Sequence, residues 1–210
     1  MSAPHLLIAL FAVLAMISCR REEKQNTSTP PAVAPAPPPT APAPVALEAF
    51  SKAALEGDLA TVKQALAQPD AANLADPDGR TALMLAAFNG HTEIAALLLD
   101  SGAKIDTRDQ TGRTALMYAC SGPNDATVAL LLKRTAGVNL ADNEEHWTPL
   151  MFAAAEGHLG VVRLLLAAGA NPGAADIDGE DSIMFARSRG FTELADLIAH
   201  AKERARATRK

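Results

Sequence analysis

From Leu47 to Lys202 the apolar positions fall into short helical runs that come in pairs. After Thr81, Leu83, Ala86 and Ala87 lie on one face of a short helix, and Gly90-His91 breaks it. A second run follows, with Ile94, Leu97, Leu98 and Leu99 at helical spacing. The same script returns after Thr148. Leu150, Ala153 and Ala154 come first, Gly157-His158 breaks the run, and Val161, Val162, Leu164, Leu165 and Leu166 form the second stripe. Gly102 and Gly169 stand where a left-handed helix C-cap is wanted. A helix pair of this length cannot bury its apolar face alone, so each pair needs its neighbours.

Two independent markers fix the period. The string Asp76-Pro-Asp-Gly-Arg-Thr-Ala-Leu-Met84 recurs from Asp109 to Met117, from Asp142 to Met151 and from Asp176 to Met184. Its leading aspartates are 33, 33 and 34 residues apart, while Gly57, Gly90, Pro123, Gly157 and Gly190 are spaced 33, 33, 34 and 33. One extra residue lies between Asp142 and Thr148. A unit of this length that opens with D-x-x-G, continues T-A-L or T-P-L and then A-A-x-x-G-H resembles the ankyrin repeat. The resemblance implies an all-α solenoid of about five stacked helix pairs joined by β-hairpin fingers. The expected domain is 46–202, with units at about 46–75, 76–108, 109–141, 142–175 and 176–202. The outermost units read as caps. Lys52 replaces an apolar residue in the first, and Arg187 replaces the second alanine in the last.

The residues before this domain read as an address and a tether. Leu6 to Ser18 is thirteen residues without a charge, shorter than the ~20 a membrane-spanning helix needs and suited to a signal-peptide core. Met16-Ile17-Ser18-Cys19 resembles a bacterial lipoprotein box, which makes Cys19 the expected lipidation site; an ordinary cleaved signal over 1–19 is the alternative. By the same resemblance Arg20 favours the outer membrane, with a soluble periplasmic or secreted form as the other outcome. Eight of the fourteen prolines fall between Pro30 and Pro44, so 20–45 is expected to be a disordered tether with polyproline II character. Residues 203–210 read as a basic flexible tail.

Composition narrows the chemistry. Aromatic residues make up only 4% against 49% hydrophobic, which fits a helical chain better than a β-sandwich. A net charge of −5 counts against nucleic acid as a partner. Two cysteines alone build neither a disulfide framework nor a four-ligand zinc site. No Walker loop, H-E-x-x-H, C-x-x-C or G-x-S-x-G occurs, so no catalytic residue, cofactor or metal is assigned. Cys120 stands where other units have Ala87 or Ala154 and reads as a buried small residue, with a redox role as the rival. His91 and His158 read as inter-helix turn residues. Met84, Met117, Met151 and Met184 share one register; adjacent helices ~8–10 Å apart make shared copper binding less apt than packing. The His common at this register in ankyrin repeats makes local hydrogen bonds, which methionine is expected to give up.

Function then falls to the positions that stacking leaves free. In the ankyrin arrangement these are the finger tips and the concave groove. The residues before each helix-opening position are Arg80, Arg113, Trp147 and Glu180, and the next exposed register holds Phe88-Asn89, Ser121-Gly122, Ala155-Glu156 and Ser188-Arg189. The single tryptophan sits on the one finger with an insertion and no glycine, Asn143-Glu144-Glu145-His146. The expected partner-binding residues are Arg80, Phe88, Asn89, Arg113, Glu144, Glu145, His146, Trp147, Glu156 and Arg189. An exposed aromatic beside arginine suits an interface hot spot; the alternative has Trp147 folded over a neighbouring finger. From Val45 onward the chain carries 16 basic and 22 acidic residues, and the acid on the tips suggests a basic partner surface. The expected protein is a monomeric, non-enzymatic, envelope-tethered module that binds a periplasmic protein. Immunity against a secreted toxin, support of a periplasmic enzyme such as a catalase, and a plain spacer are the other readings.

Overall fold

The computed structural model describes residues 46–207. The leader, Cys19 and the proline-rich tether lie outside the described residues, as do residues 208–210. Ten α-helices form five pairs. They are α1 (Leu47–Glu56) with α2 (Leu59–Ala65), α3 (Ala82–Phe88) with α4 (Thr92–Asp100), α5 (Ala115–Cys120) with α6 (Asp125–Lys133), α7 (Pro149–Glu156) with α8 (Leu159–Ala167), and α9 (Ser182–Ser188) with α10 (Thr192–Ala207). The first helices pack on one another as one row and the second helices as another. Among the described residues there is no β-strand. The fingers are tight turns, and isolated bridges at Ala75–Thr81 and Ala175–Asp181 close two of them.

The repeated sequence gives a repeated spine. Leu98, Leu131, Leu165 and Ile198 occupy one register of the second-helix row, and all are fully buried. Ala86, Ala119, Ala153 and Ala186 do the same in the first-helix row. Alanine there lets helix backbones approach closely, and leucine fills the space between the rows. Adjacent units are also tied by hydrogen bonds. Asn89 Nδ2 and His91 Nε2 both donate to the Leu55 carbonyl, at 2.6 and 2.9 Å. Asn124 Nδ2 donates to the Phe88 carbonyl at 2.9 Å. The His91 ring lies where a Cβ on Gly57 would stand, 2.7 Å from Cε1, so this turn also needs glycine for close approach.

Helix starts follow from local chemistry, with one correction. Thr81 Oγ1 accepts the Met84 N–H at 3.4 Å, and Met84 Sδ accepts the Thr81 N–H at 3.4 Å. Met151 Sδ meets the Thr148 N–H at the same distance. Methionine therefore keeps a weak local acceptor role instead of giving it up. Met84, Met117 and Met151 are buried, whereas Met184 is half-exposed in the last unit.

The last helix differs from the reading of 203–210 as a flexible tail, since α10 runs unbroken to Ala207. Lys202, near its middle, pairs at 2.6 Å with Asp181, which caps α9 by accepting the Ile183 and Met184 N–H groups at 3.0 Å. At the other end Lys52 faces solvent and pairs with Glu56 at 3.9 Å.

Candidate partner-binding face

Each finger is built on its leading aspartate. Asp76 Oδ1 accepts the N–H groups of Asp78 and Arg80 at 3.0 and 2.9 Å. Asp109 does the same for Thr111 and Arg113, Asp142 for Glu145 and Trp147, and Asp176 for Asp178 and Glu180. The fingers are joined in series by backbone bonds from Gln110 N to Asp78 O, Asn143 N to Thr111 O and Ile177 N to Glu145 O, at 2.8 to 3.1 Å. The inserted residue of the third finger is absorbed within its loop, so Asp142 N reaches Trp147 O. His146 takes the place of the finger glycine with φ +59°, beside +80°, +83° and +81° at Gly79, Gly112 and Gly179. The backbone is thus conserved in shape where the sequence departs from the motif.

What varies is the other carboxylate oxygen. Asp76 Oδ2 takes Arg80 Nε at 2.8 Å, and Arg80 also reaches Asp78 at 2.9 Å. Burial works against the charge of Arg80, yet the hydrogen bond to Asp76 and the two carboxylates outweigh it and raise its pKa. Asp109 Oδ2 accepts the Tyr118 hydroxyl at 2.7 Å; burial and this bond push the phenol pKa well up. Asp142 Oδ2 faces Arg113 Nε at 3.8 Å. In the fourth finger, the exposed Asp178 and Glu180 have no ion-pair partner among the described residues, and the same holds for Glu144 and Glu145 in the third.

Beside the fingers runs a row of one leucine and three aromatic residues that the sequence reading did not single out. Leu85, Tyr118, Phe152 and Phe185 stand four residues after Thr81, Thr114, Thr148 and Asp181. Trp147 bridges the last two, with ring centroids 5.2 Å from Phe152 and 4.5 Å from Phe185. The Arg113 guanidinium lies 5.3 Å from the Phe152 centroid, and Phe88 meets Tyr118 edge-on at 6.2 Å. The signal that reveals this row is the 33-, 34- and 33-residue spacing one position beyond the methionines.

The structure sorts the expected contact residues into three groups. Glu144, Glu145 and His146 are exposed on the third finger, and Phe88 is 41% exposed. Arg80, Arg113 and Trp147 are partly covered because their charges or rings are engaged within the face; Trp147 is half-buried rather than free-standing. Asn89 is exposed, and its amide also donates to the Leu55 carbonyl across the unit boundary. Glu156 and Arg189 pair with each other at 3.5 Å across adjacent units. Ala155, in the register read as exposed, is buried beneath its neighbours. Cys120 is fully buried, and burial alone pushes its thiol pKa well up, which makes it a core residue rather than a reactive thiolate.

Comparison with family models decides what the stacking means. A model described as ankyrin repeats (three copies) matches residues 50–142, and one described as an ankyrin repeat matches residues 145–177. The chain belongs to the ankyrin-repeat family. Comparison with curated proteins gives no match. Ankyrin repeats point to a protein–protein interaction module, a class that is typically non-enzymatic. Among the described residues no group of three His, Cys, Asp or Glu side chains could hold a metal ion, and no helix is long and apolar enough to cross a membrane.

Proposed function

We propose that this ankyrin domain is a non-catalytic adaptor whose third and fourth fingers hold a protein partner through a basic segment. The observation that carries the reading is Glu144, Glu145, Asp178 and Glu180 standing without an ion-pair partner among the described residues, beside Trp147, Phe185 and the exposed Ile177 (55%) and Met184 (49%). Unpaired surface carboxylates steer a cationic partner to the site. Half-covered rings and flexible apolar side chains supply contact area once it arrives. In this reading the domain stands in the periplasm as a monomer on the 20–45 tether, anchored at the outer membrane through Cys19. The uncharged run ending at Cys19 supports that placement.

The test uses the full-length chain as bait in envelope extract, beside Glu144→Gln/Glu145→Gln/Asp178→Asn/Glu180→Gln. The native chain is expected to capture a protein that the variant holds at least about tenfold more weakly, with the difference shrinking as salt rises. Equal capture by both would remove the finger reading. Labelling with a lipid precursor should disappear in Cys19→Ala; unchanged labelling would refute the anchor.

A further inference from the structure

The leading aspartates of the four fingers differ in what their second oxygen meets. Asp76 Oδ2 takes Arg80 Nε of its own finger at 2.8 Å. Asp109 Oδ2 accepts the Tyr118 hydroxyl of its own unit at 2.7 Å. Asp142 Oδ2 faces Arg113 Nε of the preceding finger at 3.8 Å, and that guanidinium also lies 5.3 Å from the Phe152 centroid. Three registers of the repeat thus supply a cation or a hydroxyl from within the fold. In the fourth finger Asp176 Oδ1 still accepts two turn N–H groups, from Asp178 and Glu180 at 3.0 and 2.8 Å. All three supplying registers have changed. Glu180 stands where Arg80 does, Phe185 where Tyr118 does, and Trp147 where Arg113 does. An acid, a ring without a hydroxyl and an indole packed on Phe185 leave Asp176 Oδ2 without a cation or donor among the described residues. The tip is open as well. A Cβ on Gly79 or Gly112 would meet the following finger, whereas one on Gly179 would have no described atom within 4 Å.

We propose that the fourth finger takes an arginine side chain from the protein partner, bonded to Asp176 Oδ2 and resting against the Trp147–Phe185 pair. The proposal rests on the reading of the third and fourth fingers as the partner-binding face, and it names the residue that the basic segment must carry. The chain shows the arrangement once already, in Arg113 held between the Asp142 carboxylate and the Phe152 ring. A guanidinium bonds a carboxylate and stacks on a ring in one pose, whereas an ammonium group is a compact, strongly hydrated point charge. Arginine is therefore preferred over lysine at this finger. Asp178 and Glu180, both exposed at the same tip, add to the negative field that draws it in.

The experiment exposes the immobilised full-length chain to a display library of random dozen-residue peptides. Enriched peptides should carry arginine, and exchanging that arginine for lysine in the labelled peptide should weaken binding at least about tenfold. Asp176→Asn keeps an oxygen for the turn N–H groups and puts an amide donor in place of Oδ2, so it should weaken the arginine peptides by a similar factor. Phe185→Tyr supplies the hydroxyl that Tyr118 gives Asp109, so it should occupy Oδ2 from within and weaken the same peptides with no change in charge. Melting curves establish that each variant is folded, and Phe185→Tyr serves if Asp176→Asn is not. Absence of arginine from the enriched peptides, or arginine peptides that bind both variants as they bind the native chain, would overturn the proposal. Lysine peptides held as tightly as arginine ones and lost in the four-carboxylate variant would overturn the arginine site while leaving the basic-segment reading in place. Peptides indifferent to the four-carboxylate variant as well would remove both.

Discussion

In the first finger, Arg80 spans Asp76 and Asp78, so both carboxylates of the turn have an internal cation and only one net negative charge remains. In the third, built on the same aspartate-centred turn, Glu144 and Glu145 project without a cation partner among the described residues, while Arg113 of the second finger is drawn toward Asp142 and Phe152. The backbone bonds that join one finger to the next are the same in kind on both sides of this divide. The contrast separates two jobs that a repeat domain must do with one fold. Positions repeated in every unit hold the stack together, and positions that escape the repeat are available to recognise something else.

The largest expected effect tests the shared part. Leu98→Ala in the unit of the first finger and Leu165→Ala in that of the third should each cost about 2–5 kcal/mol of unfolding free energy. Both side chains are fully buried in the same register. A loss well below that range at either site, measured by denaturant unfolding, would break the equivalence of the two units.

The fingers should then respond unequally. Trp147→Ala removes contacts with two rings and should cost about 1–3 kcal/mol of stability, since each aromatic pair contributes about 0.5–1.5 kcal/mol beyond area burial. Arg80→Ala should cost less than about 1 kcal/mol, because its ion pairs are partly exposed and screened by water. Equal losses in thermal unfolding would erase the distinction between a finger held by packing and one held by charge.

A smaller pair of changes should go in opposite directions. Thr81 accepts a helix N–H, so Thr81→Ala should lose about 1 kcal/mol. The Thr114 hydroxyl is buried and has no hydrogen-bond partner among the described residues, so Thr114→Val should gain up to about 1 kcal/mol by removing an unsatisfied group. Denaturation midpoints of the two variants that move the same way would contradict this.

The smallest effect concerns the last finger and acid. Burial tends to raise the pKa of Asp181, but the Lys202 hydrogen bond and the capped N–H groups outweigh it, so the folded value lies below the unfolded one. Its stabilisation is therefore complete above the unfolded value near about pH 4 and is lost as pH falls through the lower folded value. Asp181→Asn should flatten the acid limb of the stability profile there; an unchanged limb would show that the pair does not couple folding to protons.

The period, the spine, the caps and the aspartate turns were legible because each rests on residues near in sequence and repeated at fixed spacing. Other features depended on contacts one unit away. Nothing local to Asn89 indicates that its amide reaches Leu55, and Trp147 meets Phe185 only after two units have stacked. The row of Leu85, Tyr118, Phe152 and Phe185 was visible as spacing but lay one position past the methionines that drew notice. The end of α10 is helical where the charge of Lys202-Glu-Arg-Ala-Arg-Ala suggests a loose tail. Those residues are good helix formers with no breaker among them.

The most direct measurement is a photo-crosslinking scan of the full-length chain in the cells that make it. The crosslinking residue would replace Glu144, Asp178, Arg80 and, on the exposed side of α4, Glu93 in turn. Strong crosslinks to one protein from positions 144 and 178, with little from 80 and none from 93, are what the account predicts. Crosslinks spread evenly over all four positions, or found at 80 and missing at 144, would contradict it.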